Sequence, residues 1–425
     1  ILDSSGQVLA KTVFRYDVNA APKNVGPVFQ TIDGVRTERS VDEIALELSQ
    51  LLGVDYGEIM IRLEGDSEYS NLAKTVNAET FNAIRDLDIP WIFFDQFEDR
   101  LYPMGAVAGN VLGFVGSDGT PLAGLERQYN TCLAGVDGQE TFERSAEGVR
   151  IPTSNQTTQP TEDGGQLNLS IDANLQFFAQ QVLADTVNEL SATWASAIVV
   201  EVETGRILAA AEAPTVDPND PAAVPAADRG SRIFQAAFEP GSIMKAVSAS
   251  MVLDTGAADE YDTVPAPDRM NLDFDNEYIK DSFSHEDFTL SLAGVLRYSS
   301  NTGMTNFASQ IPRETRYEYL KKFGFGSVSP LRFEGESSGI LHPASQWDEM
   351  TNLVTTFGQG ISVTSLQMAY AYQAIANGGV RLDPILVDSC LAADGSIAYA
   401  PNQGSTRVLS TASANLNLEL MEKVV

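Results

Sequence analysis

Two hydrophobic periodicities run along the chain, and the pattern changes character near residue 166. VDEIALELSQLL (41–52) spaces its apolar residues at helical intervals, as does YSNLAKTVNAETFNAIRDL (69–87), so both segments are predicted as helices. WIFFDQF (91–97) is a short apolar run that reads as a strand, and GNVLGFVGSDG (109–119) is a second strand candidate bounded by glycines. PTSNQTTQPTEDGG (152–165) carries no apolar pattern and reads as a linker or the tip of a long hairpin. QLNLSID (166–172) then alternates as a strand does. Leu175, Phe178, Ala179, Val182, Leu183, Thr186, Val187 and Leu190 follow helical spacing after it. WASAIVVEVETGRILAAAEAP (194–214) reads as two strands joined at Glu203-Thr204-Gly205. Helical patterns dominate from there to about residue 378, so an α+β domain with a helical insertion is expected.

Composition narrows the class. A chain of 425 residues exceeds what one compact core holds and points to about two or three domains. Its 43% apolar and 20% charged residues are ordinary for a folded protein. The net charge of −31, from 58 acidic and 27 basic residues, is spread along the chain and reads as a solvated acidic surface. It argues against nucleic acid as a partner and against docking on anionic lipid. No apolar run is long enough to span a bilayer. The chain opens at Ile1 in mid-pattern, which is expected of a processed product whose anchor or signal lay upstream.

Cys132 and Cys390 have no metal-ligand spacing, and a single bridge between positions so far apart is not the expectation. His285 and His342 are also far apart, and no His-Glu-x-x-His occurs. No metal site and no Ser-His-Asp signature stands out, so a lysine becomes the better candidate base for any serine chemistry.

FEPGSIMKAVSASMVLDTG (238–256) sets Ser242 three residues ahead of Lys245. Composition alone supplies about 0.6 such pairs, so the spacing decides nothing without its context. Pro240-Gly241 is turn chemistry; Ile243, Val247 and Met251 then form an apolar stripe that stops at Gly256. Ser242 is therefore placed at the start of a buried helix, with Lys245 about one turn along on nearly the same face. A serine hydroxyl needs an adjacent base, and a lysine can serve once burial lowers its pKa. The helix start favours the neutral amine and offers N–H groups to a developing oxyanion. The plainer alternative is an N-cap serine beside a snorkelling lysine.

LAGVLRYSSNTGMTNFASQI (292–311) carries a second constellation, in which Ser299-Ser300-Asn301 interrupts two apolar helical stretches. Ser-x-Asn is common, and another stands at 413–415, but here the apolar flanks pin the polar groups against a core. Such groups have partners or chemistry, or else cap a helix–helix connection.

FEPGSIMK followed by YSSNTGM resembles the first two active-site motifs of the penicillin-binding proteins, a serine acyl-enzyme family. TTFGQGISVTSLQMAYAYQAIANGGVRLDP (355–384) is similar to the segment that follows the second motif. LNLSIDANLQ and VEVETGRILAAAEAP resemble the opening of the family's transpeptidase domain. RLYPMGAVAGNVLGFVG and GLERQYNTCLAGVDGQE resemble the pedestal of its class B, monofunctional members, and the division type is the closer likeness.

The resemblance implies an α+β fold: an elongated N-terminal pedestal over 1–151, a linker over 152–165, and over 166–425 a β-lactamase-like acyltransferase domain with an antiparallel sheet flanked by helices. Ser242 would attack the penultimate D-Ala carbonyl of a peptidoglycan stem peptide, and Lys245 would take its proton. Ser299 would relay a proton to the leaving amine and Asn301 would orient the substrate. Gly358, Gln359 and Gly360 would contribute to substrate binding. No cofactor is implied. The implied partners are D-Ala-D-Ala stem peptides, β-lactam antibiotics, a membrane glycosyltransferase and proteins of the divisome or elongasome, at the outer face of a bacterial membrane. The family's third motif, Lys-Thr-Gly, is missing, and truncation or disorder at the C-terminus is the expected reason. A D,D-carboxypeptidase, a β-lactamase or β-lactam sensor, and a scaffold that has lost catalysis are the alternatives.

Overall fold

The computed structural model describes residues 1–32, 35–141, 156–274 and 276–424. They form two compact units, one of residues 10–102 with 116–120, the other of 1–9, 103–115 and 121–425. The stretch 152–165 is the one expected to be a linker or the tip of a long hairpin. Of that stretch, Gln156–Gln159 pairs antiparallel with Gln139–Thr141, as the arm of a hairpin does, while 152–155 lie outside the described residues.

In the smaller unit, strand Lys11–Ala20 lies between Ser70–Val76 and Ile92–Leu101, antiparallel to both. Helix Val41–Leu52 forms as its spacing predicts. Ser40 and Glu43 make a capping box, Gly53 ends the helix in the left-handed region, and Ile44, Ala45 and Leu48 enter the core. The single helix expected over 69–87 is instead strand Ser70–Val76 followed by helix Ala78–Arg85. Leu72 and Val76 fit helical spacing, but the ladder with Lys11–Ala20 recruits this segment. Asn77 then accepts a hydrogen bond from Thr80 N and starts the helix afresh.

In the larger unit, hairpin Ala195–Val200/Ile207–Ala213 forms about its expected turn, and helix Ala173–Leu190 packs on it. Strand Gln166–Leu169 pairs with Val387–Leu391, which also pairs with Ile397–Tyr399. The strand expected over 109–119 is a helical turn at Gly109–Leu112. Buried Asn110 fixes it, donating to the carbonyls of Asp228 and Gly230 and accepting from Thr215. Gly113 ends the turn at φ 74°, where a Cβ would lie 1.9 Å from the Ala123 carbonyl oxygen.

Cys132 and Cys390 form a disulfide, against expectation, with Cα atoms 6.5 Å apart. Helix Asn130–Leu133 packs against strand Val387–Leu391, which closes a sequence gap of 258 residues that no local pattern announces.

The main core of this unit surrounds helix Met244–Thr255, whose residues from Met244 to Val252 are all buried. An all-round buried helix replaces the single apolar stripe expected there. Its neighbours are helices Asn301–Ala308, Ser365–Ala376 and Thr411–Met421.

Candidate active site

Ser242 lies in a short 3₁₀ turn, Gly241–Ile243, that feeds the helix, rather than in the helix itself. Gly241 has φ 57° and donates its N–H to the Gly358 carbonyl at 2.9 Å. That turn leaves Ser242 exposed while Lys245, three residues on, is only 2% exposed.

Ser299 ends helix Leu292–Tyr298 in the left-handed region at φ 54°, and Ser300 caps helix Asn301–Ala308 by accepting from Gly303 N at 3.0 Å. The cap and the polar constellation are thus both present, divided between neighbouring serines. The tight reversal points Ser299 and Asn301 at the lysine. Lys245 Nζ lies 2.8 Å from Ser242 Oγ, 2.7 Å from Asn301 Oδ1, 2.8 Å from the Ser299 carbonyl and 3.1 Å from Ser299 Oγ. An ammonium has only three N–H donors, so these four oxygens cannot each hold one of their own. A neutral amine keeps two N–H donors and gains a lone pair, so it can accept the Ser242 proton while two of the other three oxygens each receive an N–H.

Burial pulls the Lys245 pKa down to about 8, against the opposing charge of Asp281. A substantial fraction is therefore neutral near physiological pH. The dominant influence is desolvation, since the four contacts are to uncharged oxygens.

A cavity of about 430 Å³ opens on Ser242, Lys245 and Ser299, with Leu296, Tyr372 and Met421 in its walls. Tyr372 also donates its hydroxyl to the Ile243 carbonyl at 2.8 Å, bracing the serine turn. Gly358, Gln359 and Gly360 are not among the cavity's lining residues. Gly358 meets Gly241 through its carbonyl, which accepts the Gly241 N–H, and Gly360 N donates to Glu239 Oε1 at 2.8 Å. Gln359 N donates to the Val354 carbonyl.

Asp281, which sequence reading passed over, accepts from Asn301 N at 2.5 Å, Thr302 N at 3.1 Å and His285 Nε2 at 3.1 Å. Only its burial marks it out, and burial is visible only after folding. Among the described residues, no group of three or more His, Cys, Asp and Glu is arranged to hold a metal.

Residues 195–425 match the penicillin-binding protein transpeptidase domain, and residues 1–169 match the penicillin-binding protein dimerisation domain. Penicillin-binding protein PbpB of Mycolicibacterium smegmatis is 32% identical over 392 residues, which cover 91% of this chain and 60% of that protein. Peptidoglycan D,D-transpeptidase FtsI of Escherichia coli K12 is 29% identical over 381 residues, or 89% of this chain and 62% of that one. The chain thus spans less than two thirds of the length of these relatives. A crystal structure of penicillin-binding protein 3 from Mycobacterium tuberculosis in complex with aztreonam superposes with a TM-score of 0.69. It is 31% identical, covering 77% of this chain and 69% of that one.

Proposed function

Because the chain belongs to the class B penicillin-binding proteins, we propose that it is a peptidoglycan D,D-transpeptidase working through an acyl-enzyme at Ser242. The observation that carries this reading is the buried Lys245 amine, held 2.8 Å from an exposed serine hydroxyl with its pKa down to about 8.

The neutral amine takes the Ser242 proton as Oγ attacks the carbonyl of the penultimate D-Ala of a stem peptide. Ser299 Oγ, in contact with Lys245, passes a proton to the nitrogen of the departing D-Ala. The carbon–nitrogen bond breaks and the serine ester remains. Asn301 orients the substrate amide through its carboxamide, itself fixed by donation to the Lys280 carbonyl. An amine from a second stem peptide then attacks the ester, forms the cross-link and frees Ser242. A β-lactam enters by the same attack, and its opened ring stays attached. Aztreonam in the related mycobacterial structure supports that extension. Gly358 and Gly360 contribute by holding the serine turn and its approach.

Among the described residues no helix is long and apolar enough to cross a membrane. The disulfide supports an oxidising, extracytoplasmic setting, and the family relationship supports a place at the bacterial membrane beside a glycosyltransferase and division proteins.

Incubation with a fluorescent penicillin, read by intact mass, tests the proposal. A stable adduct that disappears in Ser242→Ala is the expected result; a folded chain that takes no label overturns the reading.

A further inference from the structure

Asp281 follows strand Tyr278–Lys280 inside a polar run, yet it is buried and its three acceptor contacts all serve one corner of the site. Oδ1 takes the N–H groups of Asn301 and Thr302, the first two residues of helix Asn301–Ala308. Oδ2 faces His285 Nε2, and the backbone N–H of Asp281 is anchored on the Asp268 carbonyl. Asn301 Nδ2 donates to the neighbouring Lys280 carbonyl, which leaves Oδ1 to face Lys245. The Asp281–Lys280 corner therefore fixes both the backbone and the carboxamide orientation of Asn301.

His285 is braced in turn. Its ring stacks on Phe288 with centroids 4.4 Å apart, and Nδ1 lies 2.6 Å from the Glu286 carbonyl. A carbonyl and an ionised carboxylate only accept, so contacts at both ring nitrogens are matched by the doubly protonated imidazole.

We propose that Asp281 is a positioning residue for the acylation of Ser242: its carboxylate, braced by His285, clamps the Ser299–Ser300–Asn301 turn where both side chains meet Lys245. Asp281 makes no ion pair with Lys245, but its negative charge opposes the loss of the lysine's positive charge. The titratable groups next to this corner are Lys245 from the serine helix, Lys280 on the preceding strand, His285 on the following loop, and Asp268, whose charge also acts on His285. A simple helix cap would hold the turn without setting the pH at which the base becomes active. The clamp does both.

The activity arm of the test rests on the acyl-enzyme reading; two other arms do not. The full chain is compared with Asp281→Asn and Asp281→Ala by amide exchange at Asn301 and Thr302, by a ¹³Cε titration of Lys245, and by the pH profile of penicillin acylation. Asp281→Ala is expected to speed exchange at both amides by about tenfold or more and to lower the acylation plateau by a similar factor. Asp281→Asn, which retains an acceptor oxygen, is expected to recover most of the plateau. Because it removes a negative charge, it also moves the Lys245 midpoint and the acid limb to lower pH. Unchanged exchange in Asp281→Ala, or an unmoved lysine midpoint in Asp281→Asn, overturns the proposal. If the alanine variant fails to fold, the isosteric asparagine variant decides through its lysine midpoint. A chain that binds no penicillin but shows both other effects sinks the acyl-enzyme reading and with it the role of Asp281 in acylation, while the clamp on Asn301 and its hold on the Lys245 midpoint stand.

Discussion

Lys245 Nζ and Ser242 Oγ lie 2.8 Å apart across a single turn, with the amine buried and the hydroxyl exposed. This division suits base and nucleophile: the base stays dry enough to lose its charge, and the nucleophile stays open to substrate. With the lysine pKa at about 8, the acylation rate should climb about tenfold per pH unit on the acid side and level off above about pH 8. Lys245→Arg should remove activity across that range, because a guanidinium keeps its proton. Stopped-flow labelling between pH 6 and 9 reads both effects. A flat profile would exclude Lys245 as the titrating base.

Asn301 offers a test of opposite sign. Its Oδ1 is 2.7 Å from Lys245 Nζ, so Asn301→Asp places a carboxylate against the amine. An anion at that distance favours the ammonium and should raise the lysine pKa by about one to three units. The acid limb should move up accordingly, and acylation at neutral pH should fall by about tenfold or more. Unchanged melting together with the displaced limb would separate this electrostatic effect from unfolding.

Gly358 meets the serine turn at close range. A Cβ there would lie 2.2 Å from the Gly241 carbonyl oxygen, in a residue already at φ 87°. Backbone faces backbone, so no side chain can move aside. Gly358→Ala should destabilise the protein by about 1–3 kcal/mol and slow acylation, because relief of the clash displaces Gly241 and with it Ser242. Melting and labelling rates measured on one preparation check the two effects together. An alanine variant with wild-type values for both would show that the turn yields freely.

Local signals in the sequence translated well into structure. Ser242 and Lys245 are separated by less than one helical turn, and Ser299 with Asn301 stands out as a polar break between apolar helices, so both motifs were legible. Asp281 was not, because it lies 20 residues before Asn301 and its surroundings are polar. Its importance comes from burial, which the local pattern does not encode. Ser70–Val76 shows the same limit for secondary structure: its apolar spacing fits a helix, and the partner that makes it a strand begins at Lys11. The roles expected of Gly358, Gln359 and Gly360 came through resemblance alone, whereas the contact of Gly358 with Gly241 has no signature in either segment.

The Cys132–Cys390 bridge joins positions 258 residues apart. Closing so long a loop restricts the unfolded chain more than the folded one, which places its contribution at about 2–5 kcal/mol. Reduction, or the paired replacement Cys132→Ser/Cys390→Ser, should therefore lower the melting temperature while leaving the acylation profile in place, since neither cysteine lines the serine cavity. Intact mass before and after alkylation under denaturing, non-reducing conditions counts free thiols directly. Two alkylated cysteines in the untreated protein would exclude the bridge.

His285 gives the fold a pH dependence whose sign is fixed by its surroundings. Desolvation alone lowers its pKa. The Glu286 carbonyl, the Asp281 hydrogen bond and the charges of Asp281 and Asp268 outweigh it, and the net shift is upward. A histidine with a raised folded-state pKa binds its proton more tightly folded than unfolded, so protonation stabilises the fold. That contribution is fully present below the unfolded value of about 6.5 and is lost as pH rises through the folded one. The stability gap between wild type and His285→Gln should therefore be widest near about pH 5.5 and should narrow as the solution becomes alkaline. Urea unfolding of both proteins across that range measures it. A gap that stays constant with pH would mean that His285 contributes packing against Phe288 and no proton-linked stability.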